Sequence, residues 1–197
     1  YDMERESIPI NRYSTRFVNA DMGLYVQISP LTGLQFIQIH LFDRHGFQLP
    51  TSQEKKIENI FFRGDYPRKN AYEVGKLYYP THHIESYITN ARNYVDYQLL
   101  NETRWNIIVD CFHGAASYVF PDLLSSFGCT TTVLRGQMKE FVSEEEIRDE
   151  TRKSIDNIVK MSKANREIGV IIGPHGEQLT IVDERGNILS TDDVSAL

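Results

Sequence analysis

The run GVIIGPHGEQLTIVDERGNIL, Gly169 to Leu189, holds an apolar strand, a turn of small residues, a second apolar strand and an Asp-Glu-x-Gly bend. It has the outline of a metal-binding loop, but most of the ligands one would look for are missing. A hard divalent cation such as magnesium wants several oxygen ligands in near-octahedral array, and one carboxylate beside one imidazole does not supply them. No metal centre is therefore expected here. His82 and His83 are adjacent on a predicted helix, so their rings do not face one site, and both are expected at the surface. Trp105 and the tyrosines follow strand and helix periods and read as core or interface packing rather than a carbohydrate platform. Cys111 and Cys129 lie in apolar runs and read as reduced, buried small hydrophobes.

Those residues must be positioned by an ordinary globular framework. The chain has 197 residues, 41% of them hydrophobic and 24% charged, with a net charge of −6. It can bury a core, and its interspersed charges make no basic stripe, so no nucleic-acid partner is expected. There is no run of about 20 apolar residues and no signal-peptide order at YDMERESIPI. No membrane partner and a cytoplasmic location are expected. The chain starts without Met and ends at STDDVSAL, where Ser190 or Thr191 reads as the cap of a helix that stops at once, so a fragment of a longer protein is expected.

The first segment offers two strands, Gly23 to Ser29 and Leu34 to Asp43, split by Pro30, Thr32 and Gly33. A helix from Gln53 to Phe62 follows, capped by Ser52, and then Gly64, Pro67, Gly75 and Pro80 break the chain into a linker. The domain boundary falls there, giving residues 1–68 and 69–197. In the second segment Ile84, Ile88, Ala91, Val95 and Leu99 share one helical face, with Thr81 as cap. RWNIIVDC holds a continuous apolar run of strand length, suggesting a strand covered on both faces, Pro121 opens a helix that Gly128 closes, and TTTVL is the next strand. Ser143 with Glu146 forms a capping box for a long polar helix to Ala164, whose SEEEIRDETRK stretch reads as a solvated face pairing Glu146 and Asp149 with Arg148, Arg152 and Lys153. IGVII closes the series. Strand–helix alternation predicts an α/β fold: a three-layer α/β/α domain with a mainly parallel sheet, preceded by a partial α/β segment. No internal repeat is visible.

This order resembles the second domain of the phosphohexomutases (phosphomannomutase and phosphoglucomutase), in which a strand ending in Asp, a Gly turn, a helix and a second strand lead to a loop D-G-D-G-D-R and then L-x-x-V-D-x-x-G. Residues 23 to 60 resemble the end of the family's first domain, with GLYVQISP where its phosphoserine loop T-A-S-H-N-P lies and IHLFDRHG where N-G-I-K-L-F-D-x-x-G lies. The resemblance implies magnesium held by three aspartates, and those positions fall on Gly173, His175 and Glu177, with the loop arginine on Gln178. The serine falls on Ser29, followed by Pro30 and Leu31, and the lysine falls on His40. A serine without nearby cationic and basic groups is a poor phosphoryl carrier.

QEKKIE at Gln53 to Glu58 and GEQLTIVDERG at Gly176 to Gly186 are also similar to the degenerate phosphohexomutase-like region that follows the catalytic domain of certain bacterial mannose-1-phosphate guanylyltransferase-like sugar nucleotidyltransferases. That resemblance implies a catalytically silent module within such an enzyme. Its partners would be the nucleotidyltransferase domain and the mutase-like third and fourth domains, it would need no cofactor of its own, and homo-oligomerisation is left open. The alternatives are an active mutase acting through Ser29 and a non-catalytic sugar-phosphate-binding module.

Overall fold

The computed structural model describes residues 1–28, 36–139, 144–190 and 192. The first segment begins with α1 (Ile8–Phe17), followed by β1 (Met22–Ile28) and β2 (Ile37–Asp43). The two strands pair antiparallel, Met22 opposite Asp43 and Ile28 opposite Ile37. Gly23 lets α1 lie close, since a Cβ there would collide with Thr15. One hairpin face turns toward α1 and carries Gly23, Gln27 and the buried Phe42, while Leu24, Val26, Ile28, Ile37 and Ile39 on the other face are exposed.

The helix α2 (Thr51–Arg63) starts two residues before the expected Gln53, with Pro50 rather than Ser52 at the cap. The fixed φ of proline suits a helix start, and its carbonyl accepts from Gln53 and Glu54. Gly64 ends the helix in the left-handed region at φ +64. The linker beyond it is exposed and contains one 3-10 turn, Ala71–Glu73.

The long helix expected after Thr81 is two helices, α3 (His83–Ala91) and α4 (Tyr97–Thr103). Asp96 divides them: Oδ1 accepts the N–H groups of Gln98 and Leu99, each at 3.1 Å, so the local cap outcompetes continuation of the apolar stripe. His82, not Thr81, sits at the cap of α3, and no side chain there makes a capping bond.

The remaining elements are β3 (Asn106–Asp110), α5 (Phe120–Ser126), β4 (Thr130–Leu134), α6 (Glu144–Asn165), β5 (Ile168–Ile172) and β6 (Leu179–Val182). One sheet holds them in the order β4-β3-β5-β6, parallel except for β6. Val109, Ala116, Val170 and Ile172 pack with Phe120 and Leu124 of α5 on one face, and Ile108, Ile171 and Val182 pack with Ile158 of α6 on the other. That is the expected three-layer α/β/α arrangement with a mostly parallel sheet. Cys111 is buried and free, and burial pushes its thiol up to about 11. Ser143 and Thr191, expected as caps, lie outside the described residues. The charges along α6 pair differently from expectation: Glu150 takes Lys153 and Arg135, and Glu146 takes Lys139.

Asp110, fully buried at the end of β3, is held by Arg135, by Ser154 Oγ at 2.7 Å and by the Phe112 N–H at 2.9 Å. A buried carboxylate persists when its lone pairs are taken up in this way. The network ties β3 to α6 and to the turn after β4.

A repeat absent from the sequence reading emerges in three dimensions. Asp43-Arg44-His45-Gly46-Phe47-Gln48-Leu49 and Asp183-Glu184-Arg185-Gly186-Asn187-Ile188-Leu189 make the same turn. In each, the aspartate Oδ1 accepts two backbone N–H groups, His45 and Phe47 in one, Arg185 and Asn187 in the other. Gly46 and Gly186 take φ +78 and +86, and the bridges Phe42–Gln48 and Val182–Ile188 close both turns. The likeness extends backwards. Gly23 faces Phe42 and abuts Thr15 of α1, and Gly169 faces Val182 and abuts Ser162 of α6. Helix, strand pair and Asp turn are thus built twice, and the two turns share only D-x-x-G-x-x-L in sequence.

Candidate functional site

The loop between β5 and β6 is fixed by its backbone. The N–H of Gly173 donates to the Gln178 carbonyl at 2.8 Å and that of Gly176 to the Gly173 carbonyl at 2.9 Å. Gly176 needs its left-handed φ of +79, and a Cβ on it would press on Ser7. The Pro174 carbonyl accepts from Ala115 at 3.0 Å, where the absent side chain of Gly114 allows close approach. The His175 carbonyl accepts from Ile8 at 3.0 Å, so the loop is clamped between the start of α1 and the turn after β3.

His175 does not point into solvent. Its Nδ1 lies 3.2 Å from Tyr25 Oη, and the two rings meet edge-on at 6.2 Å. Burial lowers its pKa, and the nearby His40 lowers it further. The imidazole is therefore held neutral, and its tautomer sets which of Nδ1 and Tyr25 Oη donates. Tyr25 is pushed up to about 12, by burial first and by Glu177 second.

On the other side of Tyr25 the His40 ring lies at 6.3 Å. Gln27, buried in the hairpin, donates from Nε2 to Gln38 Oε1 at 3.2 Å and sits 3.0 Å from His40 Nε2. With both amide hydrogens so used, Gln27 Oε1 is buried without a partner among the described residues. The site is a row of polar side chains, Gln38, Gln27, His40, Tyr25 and His175, spanning the hairpin and the loop, hydrogen-bonded at its two ends and joined by the Tyr25–His40 ring contact between them.

Of the residues singled out from sequence, Gly173 offers no side chain, His175 is engaged with Tyr25, and Glu177 and Gln178 are exposed on the loop's far part. These donors do not fit magnesium: one exposed carboxylate and a half-buried imidazole already engaged do not make an oxygen cage for a hard cation. Ser29, with Pro30 and Leu31, lies outside the described residues. Sequence reasoning passed over Tyr25, Gln27 and Gln38. Their signal was period-2 alternation, read for strand type but not for the polarity of its inward face.

His83 corrects the expectation of two surface histidines. His82 is exposed, but the His83 side chain is 13% exposed and pairs through Nε2 with Glu6, 9% exposed. Burial raises the Glu6 carboxyl above its usual range despite the opposing histidine. The tyrosines are also corrected in part: Tyr72 and Tyr94 are exposed, whereas Tyr13 and Tyr87 pack edge-on at 5.4 Å between α1 and α3.

The model of the phosphoglucomutase/phosphomannomutase family, alpha/beta/alpha domain II, matches residues 85–186, just over half of the chain. A phosphoglucomutase/phosphomannomutase of Thermococcus kodakarensis is 27% identical over 96% of the chain, and a phosphoglucosamine mutase of Methanocaldococcus jannaschii is 24% identical over 95%. The chain spans about two fifths of each relative's length, 41% in both cases. Among solved structures, a phosphoglucomutase/phosphomannomutase family protein from Burkholderia thailandensis superposes with a TM-score of 0.65 at 14% identity, over 95% of this chain and 40% of that one. A Thermus thermophilus protein described as a phosphomannomutase reaches 0.72, also at 14% identity, over 94% and 42%.

Proposed function

Because the chain belongs to the phosphoglucomutase/phosphomannomutase family, we propose that it is a catalytically silent member module, carried by a mannose-1-phosphate guanylyltransferase-like sugar nucleotidyltransferase. The observation that carries silence is the hydrogen bond from Tyr25 to His175. At the centre of the loop where the family resemblance implies a magnesium carboxylate, this chain has a neutral imidazole turned inward and engaged. His40, at the position of the expected lysine, is likewise joined to Gln27. Phosphoryl transfer relies on cations to balance charge on the moving group, and a neutral imidazole bonded to a phenol does not provide that balance. QEKKIE and GEQLTIVDERG, in order, support placement in the nucleotidyltransferase parent.

The module's role is then to hold its neighbours. Its partners are the parent's nucleotidyltransferase and further mutase-like domains, and magnesium belongs to the parent's nucleotidyl transfer rather than to this loop. The test is incubation of the full-length parent and its Ser29→Ala form with glucose 1,6-bisphosphate or mannose 1,6-bisphosphate, followed by intact-mass measurement. No added phosphate and unchanged nucleotidyl transfer in the variant are expected. One phosphate on the parent, absent from the variant, would overturn silence and make phosphoryl transfer the function.

A further inference from the structure

The unit of α1, β1 and β2 and the unit of α6, β5 and β6 share a register, because Gly23 faces Phe42 just before the first Asp turn and Gly169 faces Val182 just before the second. On that register Leu24 and Val26 of β1 stand where Val170 and Ile172 stand on β5. Alternation turns both pairs away from the helix that Gly23 or Gly169 admits. Val170 and Ile172 are 8% and 3% exposed, packed with Val109 of β3, with Ala116 and with Phe120 and Leu124 of α5. Leu24 and Val26 are 55% and 53% exposed.

The outer edge of β1 repeats the contrast. The Asp43 N–H donates to the Phe47 carbonyl and the Leu49 N–H to the Leu41 carbonyl, so Leu41 and Asp43 turn their backbone away from β1. Gly23, Tyr25 and Gln27 therefore aim their N–H and C=O groups at β2, and those of Leu24, Val26 and Ile28 lie along the outer edge. The equivalent edge of β5 pairs in parallel with β3. β1 itself, MGLYVQI, has no charged residue and no proline, the usual guards of an edge left in water.

We propose that β1 and its open face are a docking surface for a strand–helix segment of the longer parent chain, the strand adding parallel to β1 and the helix after it covering Leu24 and Val26. The chemistry of the occupant is read from β3 and α5. Its strand is apolar toward both faces, as Ile108 and Val109 are, and its helix presents aromatic and leucine side chains, as Phe120 and Leu124 do. A parallel strand buried on both faces belongs inside a folded chain rather than to a free peptide. The relatives carry more than half of their length outside the part that this chain matches, enough to supply it. The proposal rests on the chain being carried by a longer parent, and not on what that parent catalyses.

Hydrogen exchange resolved to single amides, on residues 1–197 alone and on the full-length parent, tests it. The amides of Leu24 and Val26 should exchange at least about a hundredfold more slowly in the parent, while those of Tyr25 and Gln27, aimed at β2, are protected in both. In the parent, Val26→Lys should abolish the added protection at Leu24 and leave Val170 and Ile172 protected, which separates an undocked segment from a chain that fails to fold. Val26→Ile should keep the protection. Equal exchange of Leu24 and Val26 in chain and parent, or added protection that survives Val26→Lys, overturns the proposal. So does protection in residues 1–197 alone that grows with concentration, since the occupant would then be a second copy. Added protection in a parent that shows no nucleotidyl transfer would refute the nucleotidyltransferase reading and uphold the docking surface.

Discussion

At the residue scale, three side chains carry distinct and separable consequences. Tyr25 and His175 join hairpin to loop through one hydrogen bond. Tyr25→Phe removes it while keeping the ring, and should cost about 1 kcal/mol in denaturant melts. His175 is a base whose pKa burial lowers in the folded state, so below about pH 6.5 the unfolded chain takes up a proton that the folded chain resists. Its contribution therefore fades as pH falls through that range, and His175→Gln should flatten the fall in melting temperature. Glu6 works in the opposite sense. With its folded pKa raised above 4.5, it contributes stability that is present at low pH and lost as pH rises through the raised value, so Glu6→Gln should remove that loss. Melts across roughly pH 4 to 8, which brackets the ordinary glutamate and histidine ranges, separate the two. For the loop itself, magnesium should leave the melting temperature unchanged, and an upward shift abolished by Glu177→Gln would show a retained cation site.

At the element scale, the two helix–strand–turn units depend on glycines that admit a helix. A methyl on Gly169 would collide with Ile158 and Ser162 of α6, so Gly169→Ala should destabilise by about 1–3 kcal/mol, read as a shift in the urea midpoint. Asp110 is the other point of dependence. Asp110→Asn leaves the nearly buried Arg135 without its full counter-charge and should cost about 3–5 kcal/mol, with the β3–α6 region losing hydrogen-exchange protection first. Both strand and helix types were legible from apolar period and turn residues. The division of α3 from α4 was not, because Asp96 acts through a side-chain cap that overrides an uninterrupted apolar stripe.

At the scale of the whole molecule, the α/β/α sheet is covered on both faces while the hairpin is covered on one. Val26 and Ile39 pair across the exposed face, 53% and 57% exposed, and neighbour Leu24, Ile28 and Ile37. Lysine at either position removes apolar surface from water and disturbs no buried group, so Val26→Lys and Ile39→Lys should each change stability by no more than about 0.5 kcal/mol in urea melts. The two segments meet through α1 on α3, with Glu6 on His83, Tyr13 on Ser86 and Ile8 on the His175 carbonyl. Among the described residues no helix is long and apolar enough to cross a membrane.

The sequence by itself determined the α/β/α domain, because uninterrupted runs such as NIIVD and IGVII fit only strands buried on both sides, and it located the Gly173–Gln178 loop by the turn residues around it. Which residues that loop would meet was decided by the tertiary structure. Tyr25 and His175 are 150 positions apart. Nothing local in either stretch encodes their meeting, which follows from α1 docking on α3 and from the Ile8 N–H reaching the His175 carbonyl. Burial then set the chemistry: an imidazole that sequence alone allowed as a borderline metal ligand became a neutral hydrogen-bond partner of Tyr25, since taking a half-buried ring out of water disfavours its charged form.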